Sequence, residues 1–106
     1  MTDDTLYNTY IIPFSNTTGF PQTYRISVYK WIFDIIWSYN IISNMPVLTI
    51  KSSTGKIYGI NQLVPYFAYY IQDNTTGEPI MTIITKNVSL TEINAYIAIN
   101  RTWSGI

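Results

Sequence analysis

Apolar residues in this chain come in dense runs, separated by short clusters of Asn, Thr, Ser, Gly and Pro. The longest run, residues 26–42, carries its polar side chains Lys30, Asp34 and Ser38 four positions apart. That spacing sets them on one stripe of a helix that is otherwise apolar nearly all round. With Ser27 as N-cap, a helix over residues 28–39 is predicted. A second is predicted over residues 62–72, capped by Asn61, with Pro65 tolerated in its first turn and Leu63, Val64, Phe67 and Ile71 facing inward. A third is predicted over residues 90–100. It follows a capping box at Ser89 and Glu92, with Val88 and Ile93 as the hydrophobic staple.

The remaining runs read as strands. Residues 5–14 are rich in β-formers and end at Pro13, and residues 22–26 make a short second strand. Residues 47–51 and 56–60 flank a loop containing Gly55, a hairpin signal. Residues 80–86 alternate, with Ile80, Thr82 and Ile84 on one face and Met81, Ile83 and Thr85 on the other. The pattern also nearly repeats. A shift of 34 residues superimposes Tyr24 on Tyr58, Ile26 on Ile60, Phe33 on Phe67 and Asn40 on Asn74. A shift of 33 lays residues 46–50 on 79–83, each opened by proline. The expectation is therefore one domain over residues 1–106, of the α+β class, with pseudo-repeats at about 20–51 and 56–86. A small, mostly antiparallel sheet would carry two to three helices, built by internal duplication of a helix–strand unit. Approximate two-fold symmetry between the halves would leave a groove at their seam.

Composition narrows the chemistry more than the fold. Of the 106 residues, 47% are hydrophobic and only 11% charged, and six basic side chains balance six acidic ones. No long-range field steers such a chain toward nucleic acid or anionic lipid. A surface short of charge suits a covered surface, so self-association is expected. The absence of Cys and His removes disulfides, thiolate nucleophiles, the commonest general base and the commonest transition-metal ligands. No cofactor or metal is called for. Residues 26–42 are too short, and carry Lys30 and Asp34 too centrally, for a membrane span. Met1 to Thr5 is acidic, the wrong sign for a signal peptide. A cytoplasmic or virion-associated protein is expected.

The carboxylates have structural roles to fill before catalytic ones. Asp34 would pair with Lys30 one helical turn away, Asp73 and Glu78 flank a turn, and Glu92 belongs to its cap. Lys51, Lys56 and Lys86 near strand ends, beside tyrosines, would suit stacking on single-stranded bases, but they make no basic cluster. Four Asn-x-Ser/Thr sequons, at Asn16, Asn74, Asn87 and Asn100, arise readily in a chain so rich in Asn and Thr. Tyr and Trp are preferred anchors of protein interfaces, and this chain has more of them than a small core hides. The partner-binding candidates are Tyr58, Tyr66, Tyr69, Tyr70 and Trp37.

In being short, rich in Ile, Tyr, Asn and Thr, and free of Cys, the chain resembles small orphan proteins encoded by viruses of hyperthermophilic archaea. An AT-rich bacterial or phage genome leaves a similar composition. The resemblance implies an accessory or virion-associated protein that acts by binding. The function expected is a non-catalytic protein–protein interaction module, taking a partner peptide or strand in the groove between the halves, with a homodimer also among its partners. The alternative is a single-stranded nucleic-acid binder that stacks bases on tyrosine.

Overall fold

A computed structural model describes residues 7–105, and among them there is no helix. The strands are β1 (Tyr7–Ile11), β2 (Gln22–Val28), β3 (Trp31–Asn40), β4 (Met45–Ser52), β5 (Ile57–Gln62), β6 (Ala68–Gln72), β7 (Pro79–Val88) and β8 (Ile93–Asn100). They form two four-stranded sheets, sheet I in the order β1-β8-β7-β6 and sheet II in the order β2-β3-β4-β5. Every neighbouring pair is antiparallel. The chain starts in sheet I, crosses to sheet II for a four-strand meander, and returns for β6, β7 and β8, the last of which pairs with β1. The fold is an all-β sandwich, and the α+β expectation is corrected. Thr5 and Leu6 of the first predicted strand lie outside the described residues.

The three predicted helices fail for an identifiable reason. Along β3, Phe33, Ile35 and Trp37 are buried while Ile32, Asp34, Ile36 and Ser38 face outward. Polar residues four apart satisfy a helical stripe, but four is also twice the strand period. Ile, Trp, Phe and Tyr fill the run, and these residues favour strands. Asp34 therefore pairs across the sheet with Arg25 at 2.7 Å, not with Lys30. In the second stretch, β5 ends at Gln62 and Tyr66 adopts φ 54°, so Pro65 sits in a loop and only residues 68–72 are regular. In the third, Ile93, Ala95, Ile97 and Ile99 are all buried on one face of β8. The capping signal is real but turns the chain. Glu92 N–H donates to Ser89 Oγ at 2.9 Å, while Ser89 N–H donates back to Glu92 O at 2.9 Å, closing the β7–β8 connection. The hairpin at Gly55 does form, with Gly55 at φ 103°.

The two repeat copies take different paths. Residues 24–40 make the β2–β3 hairpin within sheet II, whereas residues 58–74 begin on β5 in sheet II and cross to β6 in sheet I. The later match does have a structural echo, because the stretches opened by Pro46 and Pro79 lie in β4 and β7, each an interior strand of its sheet. A single core lies between the sheets. Its middle is aliphatic, with Ile35, Leu48, Ile50, Ile83, Ile97 and Ile99, and each end is closed by a tryptophan. Trp37 donates to Pro13 O at 2.8 Å and meets Phe14 edge-on. Trp103 packs among Trp31, Phe33 and Tyr58 at the opposite end.

Beside Trp103 the β6–β7 turn buries a carboxylate. Asp73 Oδ1 accepts the amides of Thr75 at 2.8 Å and Thr76 at 3.3 Å, and Oδ2 accepts Trp103 Nε1 at 3.3 Å. Lys56 Nζ lies 3.7 Å away. The Thr75 amide is the largest influence and holds the carboxyl below its ordinary pKa. Thr76, Trp103 and Lys56 act in the same direction, against burial.

Two expectations follow for stability. Trp37→Ala should lose about 3–5 kcal/mol in urea unfolding, through the cavity it leaves. Trp37→Phe should lose about 1–3 kcal/mol, because the Pro13 carbonyl then has no donor. The depressed Asp73 pKa contributes stability above the unfolded value of about 4, and that contribution is lost as pH falls through the lower folded value. Thermal melts of Asp73→Asn between neutral pH and about pH 2 should therefore be less stable near neutrality and flatter in acid than those of the natural chain.

Candidate interaction surface

The structure disperses the five aromatic candidates. Trp37 is 0% exposed and belongs to the core. Tyr58 is buried against Phe33 and Trp103. Its hydroxyl lies beside Ser52 without a hydrogen bond of ordinary geometry, and burial, followed by the Asp73 charge, raises its pKa. Tyr69 is half-buried and uses its hydroxyl to accept the Val64 amide at 2.7 Å. Tyr66 and Tyr70 are exposed, but Tyr66 sits in the β5–β6 loop and Tyr70 on the outer face of sheet I. No groove between two equivalent halves gathers all five, although Tyr58 and Tyr70 both border a cleft between β5 and β6.

What the fold does gather is a set of loops at the Trp37 end of the sandwich. The β3–β4 turn, the β5–β6 loop and the β7–β8 turn surround a recess of about 280 Å³ lined by Tyr39, Pro46, Leu63, Pro65, Val88 and Leu90 among others. Their tips are apolar and bare. Ile41 is 82% exposed and Ile42 94%, and Tyr66, Phe67 and Leu90 are exposed as well. Residues 39–45, 62–67 and 87–91 contain no Asp, Glu, Lys or Arg.

Each tip is held by local polar chemistry. Asn40 Oδ1 accepts the amides of Ile42 at 3.0 Å and Ser43 at 3.2 Å, an Asx-turn that leaves both isoleucines pointing out. Asn44 takes φ 62° and donates its amide to Asn40 O at 2.8 Å. Its side chain bonds the Tyr39 hydroxyl, and Ser43 bonds Gln62 of β5. In the β5–β6 loop the buried Thr85 hydroxyl donates to Val64 O at 2.6 Å and accepts the Phe67 amide at 3.0 Å. Tyr66 donates its amide to Lys86 O at 3.0 Å in a left-handed conformation that disfavours a bulky side chain. In the β7–β8 turn Ser89 holds Leu90 outward through the bonds to Glu92. These are exposed apolar groups on well-braced turns.

The other surfaces differ. The outer face of sheet II carries the Arg25–Asp34 pair with Lys51 beside it. The outer face of sheet I holds a groove of about 550 Å³ bordered by Tyr70 and floored by Thr82 and Ala98. Edge strands β5 and β6 flank a cleft of about 300 Å³ lined by Gly59, Ile60, Asn61, Tyr70 and Asn74. That cleft is a place for an added strand, yet β6 is five residues long and its pairing with β7 is broken by a bulge. Lys51, Lys56 and Lys86 lie on three separate parts of the surface: beside Asp34, against Asp73, and over the Tyr96 ring.

Asp73 and Glu78 do converge at the Trp103 end. Glu78 accepts Ser104 Oγ at 2.6 Å, which is the main reason its pKa lies below the ordinary carboxylate value. Both acids are thus held ionised, where a general acid would need a raised pKa. Among the described residues no group of three or more Asp and Glu is placed to hold a metal, and no helix is long and apolar enough to cross a membrane.

Exposed Ile41, Ile42, Phe67 and Leu90 stand outside the candidates that the sequence pattern marks. The signal that finds the first two is an Ile-Ile pair embedded in turn-forming Asn40, Ser43 and Asn44, an apolar centre where turns carry polar residues. Comparison with protein-family models, curated proteins and solved structures yields no match for this chain.

Proposed function

We propose that this protein is a non-catalytic protein–protein interaction module, and that the uncharged Trp37 end of the sandwich is its contact surface. One observation carries the reading: Ile41 and Ile42 stand almost fully in water on a turn that hydrogen bonds fix in place. A partner that buries both gains roughly 3–6 kcal/mol of hydrophobic free energy before association costs. Because the turn is braced, little ordering entropy opposes that gain. Tyr66 and Phe67 add aromatic anchors on one side and Leu90 adds a third tip, while Ser43, Asn44 and Asn87 supply an uncharged polar rim. Tyr66 keeps a left-handed backbone where Gly or Asn would be relaxed, which fits a side chain retained for contact.

The nucleic-acid alternative has less support, since three dispersed lysines give no continuous track for a phosphate backbone. A partner segment with apolar side chains and little charge is the chemistry that fits the tips.

A random-peptide display library panned against the purified protein tests this. The expected binders are apolar, weakly charged peptides whose affinity falls at least about tenfold with Ile42→Asp and also falls with Tyr66→Ala. They should keep their affinity with Arg25→Ala on the outer face of sheet II. A library that yields no binder, or binders indifferent to Ile42→Asp and Tyr66→Ala, contradicts the proposal.

A further inference from the structure

We infer that the outer face of sheet I is an isologous contact with a second copy of this chain, in which Tyr70 of each copy enters the groove of the other. The molecule measures 36 × 35 × 21 Å, so its broad faces are the outer faces of the two sheets. These two faces are not alike. Sheet II presents Arg25, Asp34 and Lys51 to solvent. On sheet I the register runs Ile11–Tyr96–Ile84 across three strands, with Ala98, Thr82 and Tyr70 as the adjacent row. Among these described outward positions only Lys86 at the margin is charged, and its ammonium lies over the Tyr96 ring. A face whose one charge lies at its margin is electrostatically compatible with a copy of itself. Sheet II also exposes Ile32, Ile57 and Ile60, but it sets them among Arg25, Asp34 and Lys51.

Shape points to the same occupant. Tyr70, 80% exposed, rises from edge strand β6, and the adjoining groove of about 550 Å³ is floored by the small side chains of Thr82 and Ala98. A protruding ring and a shallow hole on one face form a self-complementary pair. A two-fold axis lying in the plane between the two facing sheets puts each knob into the other's hole, because in such contacts residue i meets j and j meets i. Four strands about 4.8 Å apart and about eight residues long cover roughly 500 Å² in projection. Side-chain relief brings this toward the ~800 Å² that each partner buries in a standard interface. Ile11 and Ile84, both exposed in the single chain, lie within that area. This surface is separate from the loop end proposed for other partners, and the two can be tested apart.

Sedimentation velocity of the whole chain over about 1–100 µM reads the association directly. The natural chain should rise from monomer toward twice that mass across the range. Tyr70→Ala and Ala98→Arg should each raise the dissociation constant at least about tenfold. Tyr70→Ala alters only an exposed side chain, so it keeps the test open if Ala98→Arg does not fold. Thr49→Arg on sheet II and Ile42→Asp at the loop end should leave the dimer intact. A chain that stays monomeric throughout overturns the inference, as does a dimer indifferent to both sheet I variants. Loss of the dimer with Ile42→Asp also overturns it, because the loop end would then be the self-contact.

Discussion

Side chains alternate across a β-strand, and everything distinctive about this protein follows from that one constraint. In β3, β4 and β8 alternate residues are buried almost completely, so the identity of every second residue is committed to the space between the sheets. The interleaved residues are equally committed to the outside. With so few charged side chains in the chain, the outside positions fill with Ile, Tyr, Thr, Asn and Ser. The same pleat that closes the core with Trp37 and Trp103 therefore produces an outer face on sheet I with Lys86, at its margin, as the charged side chain among the described outward positions. The turns between strands then carry the surplus apolar residues outward at one end.

The two ends of the sandwich are chemically opposite. At the Trp103 end, Asp73, Glu78, Lys56, Ser104 and the Trp103 indole satisfy one another, and the carboxylates stay ionised because amides, a hydroxyl and an ammonium surround them. The two carboxylates there are partnered internally. At the Trp37 end the polar groups are amides and hydroxyls that brace the backbone, leaving the apolar side chains as the exposed chemistry. Local hydrogen bonds thus have different products at the two ends: a closed polar network at one, and fixed hydrophobic tips at the other.

Much of this organisation was legible in the amino-acid order, though not its class. The Gly55 hairpin, the alternation over residues 80–86 and the turn between Asp73 and Glu78 correspond to what forms. The three helices do not, because residues four apart lie on one side of a helix and of a strand alike. Lys30, Asp34 and Ser38, or Ile93 and Ile97, could not choose between the two. Deciding the choice needed the intervening residues, such as Ile35, Ala95 and Ile99, whose burial completes the period of two. A change of element type also redistributes the candidate aromatics. Tyr66 and Tyr70 are exposed, Tyr69 braces a loop, and Tyr58 and Trp37 are inside. Of the Ser89 capping box only one bond forms, Glu92 N–H to Ser89 Oγ; Ser89 N–H meets the Glu92 backbone carbonyl, not its carboxylate, and the pair closes a turn.

Hydrogen-bonded turns, not loose loops, present the apolar tips at the Trp37 end. Backbone ¹⁵N relaxation of the free protein tests this most directly, through the order parameters of Ile41, Ile42, Tyr66, Phe67 and Leu90. Values near 0.85 are expected at these amides, close to those of the strands that flank them. Values below about 0.6 would contradict it, because side chains on turns that mobile would have to be ordered at the moment of contact.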